Sequence, residues 1–588
     1  MFSRLRPLAP YLKRYWKSLA WGAVATILYN VLKVLLPLVI GHAIDDMQHG
    51  LTQQKILYHG LRLLVLAAFS AIFLYIMRQV IIGASREIEF DLRNDLFKNL
   101  ERQPASFYHT HRTGDIMART TNDLNAVRQL LGPAIMYSAN TLVFTVAALP
   151  FMYRISPKLT FFAFVPLPMA SVLVQYFGNR IHTRFERIQA MFSDISAKAQ
   201  ENFSGARLIR AFAQEEAEIA SFETANIEYI RRSLLLVRLM AMLWPTLEFV
   251  LGLSLMITLL VGGHEVVAHH ISVGQFTSFN VYMVQLTWPM IAVGWVVNLF
   301  QRGTASVVRI DELLKEEPSI DDRDVTPTLR ERFVSAEVLA GDIEFRGLSF
   351  AYPTGGTVLH DISLKIPAGT SLAIVGPTGS GKSTLVNLIP RLLDATPGMI
   401  LIDGEPIHHY PLADVRSQIG FVPQETFLFS DTVRQNIAFG RPEASDLDVE
   451  GAAEVAHIRT EILEFPKGFD TLVGERGVTL SGGQKQRSAI ARAVIRDPRI
   501  LILDDALASV DTYTEEQILN GLRRVMQGRT TVLISHRVST ARNADQIAVL
   551  VEGRIAELGT HDQLLARGGY YTSLFEKQAL EEELAVAQ

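Results

Sequence analysis

The chain has 588 residues, a formal net charge of −4, 49% hydrophobic residues and no cysteine. Its length exceeds what one compact core sustains, so two or more domains are expected, and the slight acidity excludes the strong basic bias of a nucleic-acid binder. Without cysteine there are no disulfides, thiol nucleophiles or cysteine-based metal sites, which suits a soluble part bathed in reducing cytosol.

Before residue 305 the apolar residues gather into six stretches approaching the ~20 residues that cross a bilayer as a helix. They lie near 19–41, 61–83, 133–153, 158–178, 241–262 and 276–299. The first is too long for a secretory signal and lacks a small-residue cleavage site. Arg4, Arg6, Lys13, Arg14 and Lys17 precede it, whereas the first outer loop holds only Lys55 and the third, 263–275, has no Lys or Arg. The positive-inside rule therefore places the N-terminus in the cytoplasm, and an even number of crossings returns the C-terminal half there.

Stretches 84–132 and 179–240 are long, basic and helix-patterned, and read as cytoplasmic extensions of the membrane helices. Each is interrupted, at Phe107–Asp115 and Asn202–Phe212, and the interruptions read as elements that dock on the soluble half. In the fifth span Glu248 follows Trp244 and Pro245. An intramembrane carboxylate faces the bundle interior by default; with Trp244 it suits a cationic, apolar substrate through charge and ring contacts. A helix–helix hydrogen bond is the competing reading of Glu248. Lys33 and Arg78 are read as snorkelling or ion-paired.

The charged segment 306–340 reads as a linker, 341–578 as a soluble α/β domain and 579–588 as a tail. The domain opens on an alternating strand, Ile343–Tyr352, with Tyr352 placed to stack on an adenine. The apolar strand Ser371–Val375 then leads through Gly376, Pro377, Thr378, Gly379, Ser380, Gly381, Lys382, Ser383 and Thr384 into a helical pattern. This is the phosphate-cradling P-loop in its required strand–loop–helix setting. Glycines let backbone N–H groups turn toward the phosphates of ATP, and the helix N-terminus adds positive potential. Lys382 is placed for the β- and γ-phosphates and the Ser383 hydroxyl for Mg²⁺.

Ile500–Asp505 reads as a buried parallel strand ending in carboxylates, at the sheet edge where open α/β folds bind ligands. Asp504 is a second candidate for Mg²⁺, and Asp505 is placed to polarise the attacking water. Thr531–Ser535 delivers His536 to the same edge, within reach of the γ-phosphate. Gln424, in a loop between these motifs, is a third candidate for Mg²⁺ or water. Leu480, Ser481, Gly482, Gly483 and Gln484 open a helix and form a second anion-binding N-terminus. One nucleotide cannot fill two distant phosphate sites of one domain. A dimer is therefore expected, with this signature segment of one subunit completing the P-loop of the other.

Together these residues resemble the ATP-binding cassette (ABC) exporters, over nearly the whole chain. The P-loop, Gln424, Leu480–Gln484, Asp504 and His536 stand in the family's order. The resemblance implies an all-α transmembrane bundle of six helices followed by an α/β P-loop nucleotide-binding domain. It implies a half-transporter of the bacterial multidrug and lipid-exporter type, set in the inner or plasma membrane with both termini and the ATPase domain cytoplasmic. ATP would be sandwiched between two such domains, driving alternating access that exports amphipathic small molecules or lipids. The two interruptions would be coupling helices, Glu475-Arg476-Gly477 would contact them, and Asp511 would lie on the loop between the two ATP sites.

Two residues depart from the family pattern. Ala508 replaces the usual Ser, and Asp505 replaces the usual catalytic Glu. A carboxylate one methylene shorter withdraws its oxygens by about 1 Å, and misplacement on that scale costs ~10²-fold in rate. Several heterodimeric exporters carry such a substitution in one subunit. The expectation is a subunit that binds ATP firmly, hydrolyses it slowly and completes the site of a Glu-bearing partner. A homodimer with two slow sites, and a regulatory subunit that uses ATP as a clamp, are the alternatives.

Overall fold

The computed structural model describes residues 2–586, except 49, 51, 335–337, 354, 475–476, 478, 509 and 511. The chain forms two compact units: Met1–Glu101 with Arg112–Glu316, and Arg102–His111 with Glu317–Gln588.

The first unit is helical. Among the described residues five helices, Trp16–Gln48, Gln53–Leu100, Thr113–Ile155, Glu215–Val267 and Val273–Lys315, are each long and apolar enough to cross a membrane. The fourth expected span, 158–178, is divided between Pro157–Phe164 and Leu167–Ser204. Pro166 causes the break, because proline offers no N–H and its ring clashes with the carbonyl four residues back. The apolar run is thereby shared between one short helix and the start of a mostly polar long one.

Val34, Phe144, Met152, Leu159, Phe279 and Tyr282 form one core of this unit, while Trp21, Leu64, Phe69, Leu142, Phe161 and Leu260 remain exposed. Helices apolar on both faces fit a bilayer rather than water. The last helix runs on to Lys315, inside the segment read as linker. Val307, Ile310 and Leu313 recur at helical spacing there and are buried, so the charges flank a packed stripe. Asp123 secures the same stretch, accepting from Ser306 Oγ at 2.8 Å and Arg309 Nε at 2.8 Å.

The two interruptions differ. Helix Ala105–Thr110 has Phe107 buried and stacked on His111, centroids 4.1 Å apart, and its segment belongs to the second unit. Helix Ala206–Ala211 belongs to the first unit and buries nothing. Phe203, Leu208 and Phe212 around it are 81%, 64% and 68% exposed.

Among its described residues the second unit holds ten strands: β1 (Ile343–Ala351), β2 (Thr357–Ile366), β3 (Ser371–Val375), β4 (Ile400–Ile402), β5 (Glu405–Pro406), β6 (Ile419–Val422), β7 (Ile500–Asp504), β8 (Thr530–Ile534), β9 (Gln546–Val551) and β10 (Arg554–Gly559). One sheet has the order β2-β1-β4-β5, the other β10-β9-β3-β8-β7-β6. In the second, β9, β3, β8, β7 and β6 run parallel. Strands β7 and β8 are buried at every position, as a sheet covered on both faces requires. Parallel direction brings the residues that follow β3, β8, β7 and β6 to one edge. The closing helix Tyr570–Val586 carries regular structure through most of the segment read as a tail.

Candidate functional site

Strand β3 ends at Val375 and the helix Lys382–Leu388 begins seven residues on, with the P-loop between them. Gly376 has φ +149°, and a Cβ added there would stand 2.0 Å from the carbonyl oxygen of Leu550 on β9. Gly381, with φ +97°, caps the helix in a left-handed conformation that only glycine adopts without cost. The Gly381 cap brings no side chain over the first N–H groups of the helix. This loop therefore fits phosphate: its backbone is closed to side chains on the sheet side and offers donors on the other. Gly376→Ala is expected to abolish nucleotide binding by forcing the loop off β9, read by loss of binding of a fluorescent ATP analogue.

Lys382 Nζ donates to the carbonyl oxygens of Gly376 at 3.0 Å and Pro377 at 2.9 Å, so its ammonium lies inside the loop. Burial lowers its pKa, against the pull of Asp505 and Asp504. Ser383 Oγ donates to Asp504 Oδ1 at 3.0 Å, joining the helix after β3 to the end of β7. Asp504 is 3% exposed. Burial raises its pKa and the Asp505 charge adds to that; the Ser383 bond, Lys382 and His536 oppose it. A buried carboxylate beside a serine hydroxyl is the hard-oxygen donor set that Mg²⁺ takes.

Asp505 has φ +50°, and its N–H donates to Ile534 O at the end of β8, 3.1 Å away. It lines a cleft of about 230 Å³ with Ser535, His536, Ala508, Glu515 and Arg537. His536 is exposed, and its carbonyl accepts from Gln578 Nε2 at 2.6 Å. Gln424 is exposed two residues beyond β6, at the same edge. Tyr352 meets Thr384 through its hydroxyl, O···O 3.1 Å, and stands edge-on to Phe350 with centroids 5.2 Å apart. The structure thus gathers Gly376–Thr384, Asp504, Asp505, His536 and Gln424 along one sheet edge, and Tyr352, which follows β1 of the other sheet, meets them through Thr384.

The signature segment stands elsewhere. Leu480 and the helix Gly482–Val494 pack into a core with Val422, Ile437 and Val449, whereas Leu385, Val386 and Leu388 of the P-loop helix belong to a core under the two sheets. Ser481 caps its helix by a reciprocal pair: Gln484 N–H donates to Ser481 Oγ at 3.2 Å, and Ser481 N–H to Gln484 Oε1 at 3.0 Å. Ser481 and Gly482 are exposed.

Sequence reasoning missed the brace behind this segment. Glu461 accepts from Gln484 Nε2 at 3.0 Å and from Arg487 Nη1 and Nη2 at 2.6 and 2.9 Å. Burial pushes the Glu461 carboxyl up, but these hydrogen bonds and the Arg487 charge outweigh it and hold its pKa below the usual range. Arg487, buried on this helix beside Gln486, Ser488 and Ala489, is the signal that a carboxylate had to be near. Glu475, Arg476 and Asp511 lie outside the described residues. In the first unit Trp244 and Glu248 share one face of the helix Glu215–Val267, with Trp244 55% exposed and Glu248 also exposed.

A transmembrane helical unit joined to a P-loop ATPase unit, with a signature helix braced apart from the P-loop, defines a nucleotide-driven membrane transporter. Residues 19–290 match the ABC transporter transmembrane region and residues 359–508 the ABC transporter domain. The probable multidrug resistance ABC transporter ATP-binding/permease protein YheI of Bacillus subtilis is 37% identical over 99% of this chain and 98% of its own. The ATP-dependent lipid A-core flippase of Syntrophus aciditrophicus is 36% identical over 99% and 95%. The structure of a bacterial Atm1-family ABC exporter with ATP bound superposes with a TM-score of 0.76 at 28% identity, over 97% of this chain and 98% of that one. The chain belongs to the ABC exporters. It is a multi-pass membrane protein that couples ATP hydrolysis to efflux and works as a dimer.

Proposed function

We propose that this chain is one half of an exporter that moves amphipathic small molecules or lipids outward across the bacterial inner or plasma membrane. Both termini and the ATPase domain face the cytoplasm, with 1–305 as the membrane domain and 341–578 as the nucleotide-binding domain. One observation carries the reading: the P-loop and Leu480–Gln484 stand on separate hydrophobic cores, each a half-site that a second subunit completes. The three exposed apolar side chains Phe203, Leu208 and Phe212 suit a coupling contact with that second subunit. A contiguous apolar patch is costly unless covered.

In this reading Ser383, Asp504 and Gln424 hold Mg²⁺, which when bound neutralises charge on the β- and γ-phosphate oxygens. Lys382 and the P-loop N–H groups bind and orient the phosphates, and Tyr352 takes the adenine. Asp505 orients the attacking water and accepts its proton, while His536 fixes the γ-phosphate. Asp511 relays between sites. The short reach of Asp505 favours a heterodimer, with a Glu-bearing subunit whose P-loop is completed by Ser481–Gln484 of this chain. The names of the relatives, multidrug and lipid A-core transporters, support an amphipathic cargo.

ATP-driven accumulation of a fluorescent amphiphile in inverted vesicles tests the proposal. Uptake abolished by Lys382→Ala together with alanine at the partner's P-loop lysine is expected; uptake indifferent to ATP would refute it. Glu248 and Trp244 form the candidate contact for cations. Glu248→Gln is expected to remove stimulation of ATPase by cationic compounds, on the order of tenfold in half-saturating concentration, and to spare neutral ones. Equal loss for both would make Glu248 a structural residue.

A further inference from the structure

Lys33 lies deep in the first apolar stretch. It stands three residues past the centre of the 19–41 span, about 4.5 Å along the axis at the helical rise per residue. A fully extended lysine adds about 6 Å, well short of the ~15 Å half-thickness of the hydrocarbon. Its ammonium instead lies over two rings, 4.7 Å from the centroid of Phe144 and 5.7 Å from that of Tyr29. Rings hold a cation but do not neutralise it. Among the described residues no carboxylate forms an ion pair with it.

Polar groups converge on the same junction of three helices. Asn30 lies just under one turn before Lys33, is 0% exposed and donates to Thr26 O at 2.8 Å, yet its Oδ1 is buried without a hydrogen-bond partner. Asn140, one turn before Phe144, and Gln285, about one turn after Tyr282, each bury a side-chain oxygen in the same condition. The Tyr282 hydroxyl donates to Val34 O at 2.6 Å, which brings the helix of Gln285 against that of Lys33. Intramembrane charges that face protein mark substrate pathways. Amides left under-satisfied beside an uncompensated cation are costly unless a ligand meets them.

We propose that Lys33 anchors a binding site for amphiphiles with an oxyanion head group, at the junction of Trp16–Gln48, Thr113–Ile155 and Val273–Lys315. The proposal rests on the export reading and gives this carrier a subsite opposite in charge to the Glu248 face. The oxyanion pairs with the ammonium between the two rings, the amides complete its hydrogen bonds, and the apolar tail lies among the bundle side chains.

The test compares three probes with the same tail, dodecyl phosphate, dodecyl maltoside and dodecyltrimethylammonium, alongside inorganic phosphate. They are applied to the assembled transporter in vesicles, with ATPase followed as ADP release. In the unmodified protein dodecyl phosphate is expected to half-stimulate at a concentration roughly tenfold below dodecyl maltoside, the scale of one desolvated charge pair. Lys33→Gln is expected to raise that value about tenfold and move the maltoside value less than about twofold, whereas Lys33→Arg keeps it within about threefold. Glu248→Gln should shift only the trimethylammonium arm. Equal phosphate and maltoside values in the unmodified protein, equal shifts of both in Lys33→Gln, or competition by inorganic phosphate as strong as by dodecyl phosphate would each overturn the proposal. Loss of head-group selectivity with ATP-driven uptake intact overturns this inference alone. Absence of ATP-driven uptake for every probe overturns the export reading.

Discussion

Asp505→Glu is expected to raise ATP turnover at this chain's own P-loop by roughly 10²-fold, without changing nucleotide affinity. The residue follows β7 with its N–H tied to Ile534 O at 3.1 Å, so the backbone fixes where the side chain starts. A carboxylate one methylene shorter stops about 1 Å back, and an error of that size costs ~10²-fold, or about 2.7 kcal/mol in the barrier. Binding depends on other groups, Lys382 in the loop and the Ser383–Asp504 pair, which the substitution leaves in place. The left-handed backbone at φ +50° suits aspartate better than glutamate, so the variant should lose on the order of 1 kcal/mol of stability while it gains rate. Single-turnover hydrolysis with a nucleotide-binding assay checks both halves. Unchanged turnover in the assembled complex would mean that chemistry at this P-loop is not limited by the reach of Asp505.

Gly482→Asp separates the signature's role in folding from its role across the dimer. Gly482 is the first residue of a thirteen-residue helix whose N-terminus carries an exposed Ser481 cap. An acidic side chain there interacts favourably with the helix dipole, by ~0.3–1 kcal/mol, so the subunit itself is not weakened. The same negative charge opposes a phosphate brought by the partner. ATP turnover at the partner's P-loop should fall at least ~10²-fold, the scale of losing preorganised donors, while ATP binding at this chain's own P-loop persists. Ser481→Ala runs the comparison in reverse, because the lost cap costs ~1 kcal/mol. If Gly482→Asp left the partner's hydrolysis intact, the segment would not complete that site.

The placement of the motifs in the ATPase half was legible because each is contiguous and sits at a strand end. Gly376–Thr384 follows β3, Asp504 ends β7 and His536 follows β8, so topology alone brings them to one edge. The brace behind the signature was not legible: Glu461 and Arg487 meet only through the packing of helices that share a core. In the membrane half, hydropathy found the apolar stretches but not the break at Val165-Pro166, since an apolar run does not record where a hydrogen-bond ladder fails. Charge hid the helix through 306–315, where Val307, Ile310 and Leu313 form a narrow buried stripe. For Lys33, residue type allowed snorkelling or an ion pair, and the ring of Phe144 from another helix beside its ammonium is a setting that sequence does not record.

A chain without native cysteine permits the most direct test of nucleotide-dependent closure. Ser481→Cys is placed in this chain, and a cysteine in the partner's P-loop at the position matching the exposed Thr378, with retention of ATP binding verified first. Disulfide formation between subunits should be fast with Mg²⁺ and ATP under slow hydrolysis, and should lapse when the nucleotide is removed. No cross-link, or one formed equally well without nucleotide, would contradict closure of the two subunits around shared ATP.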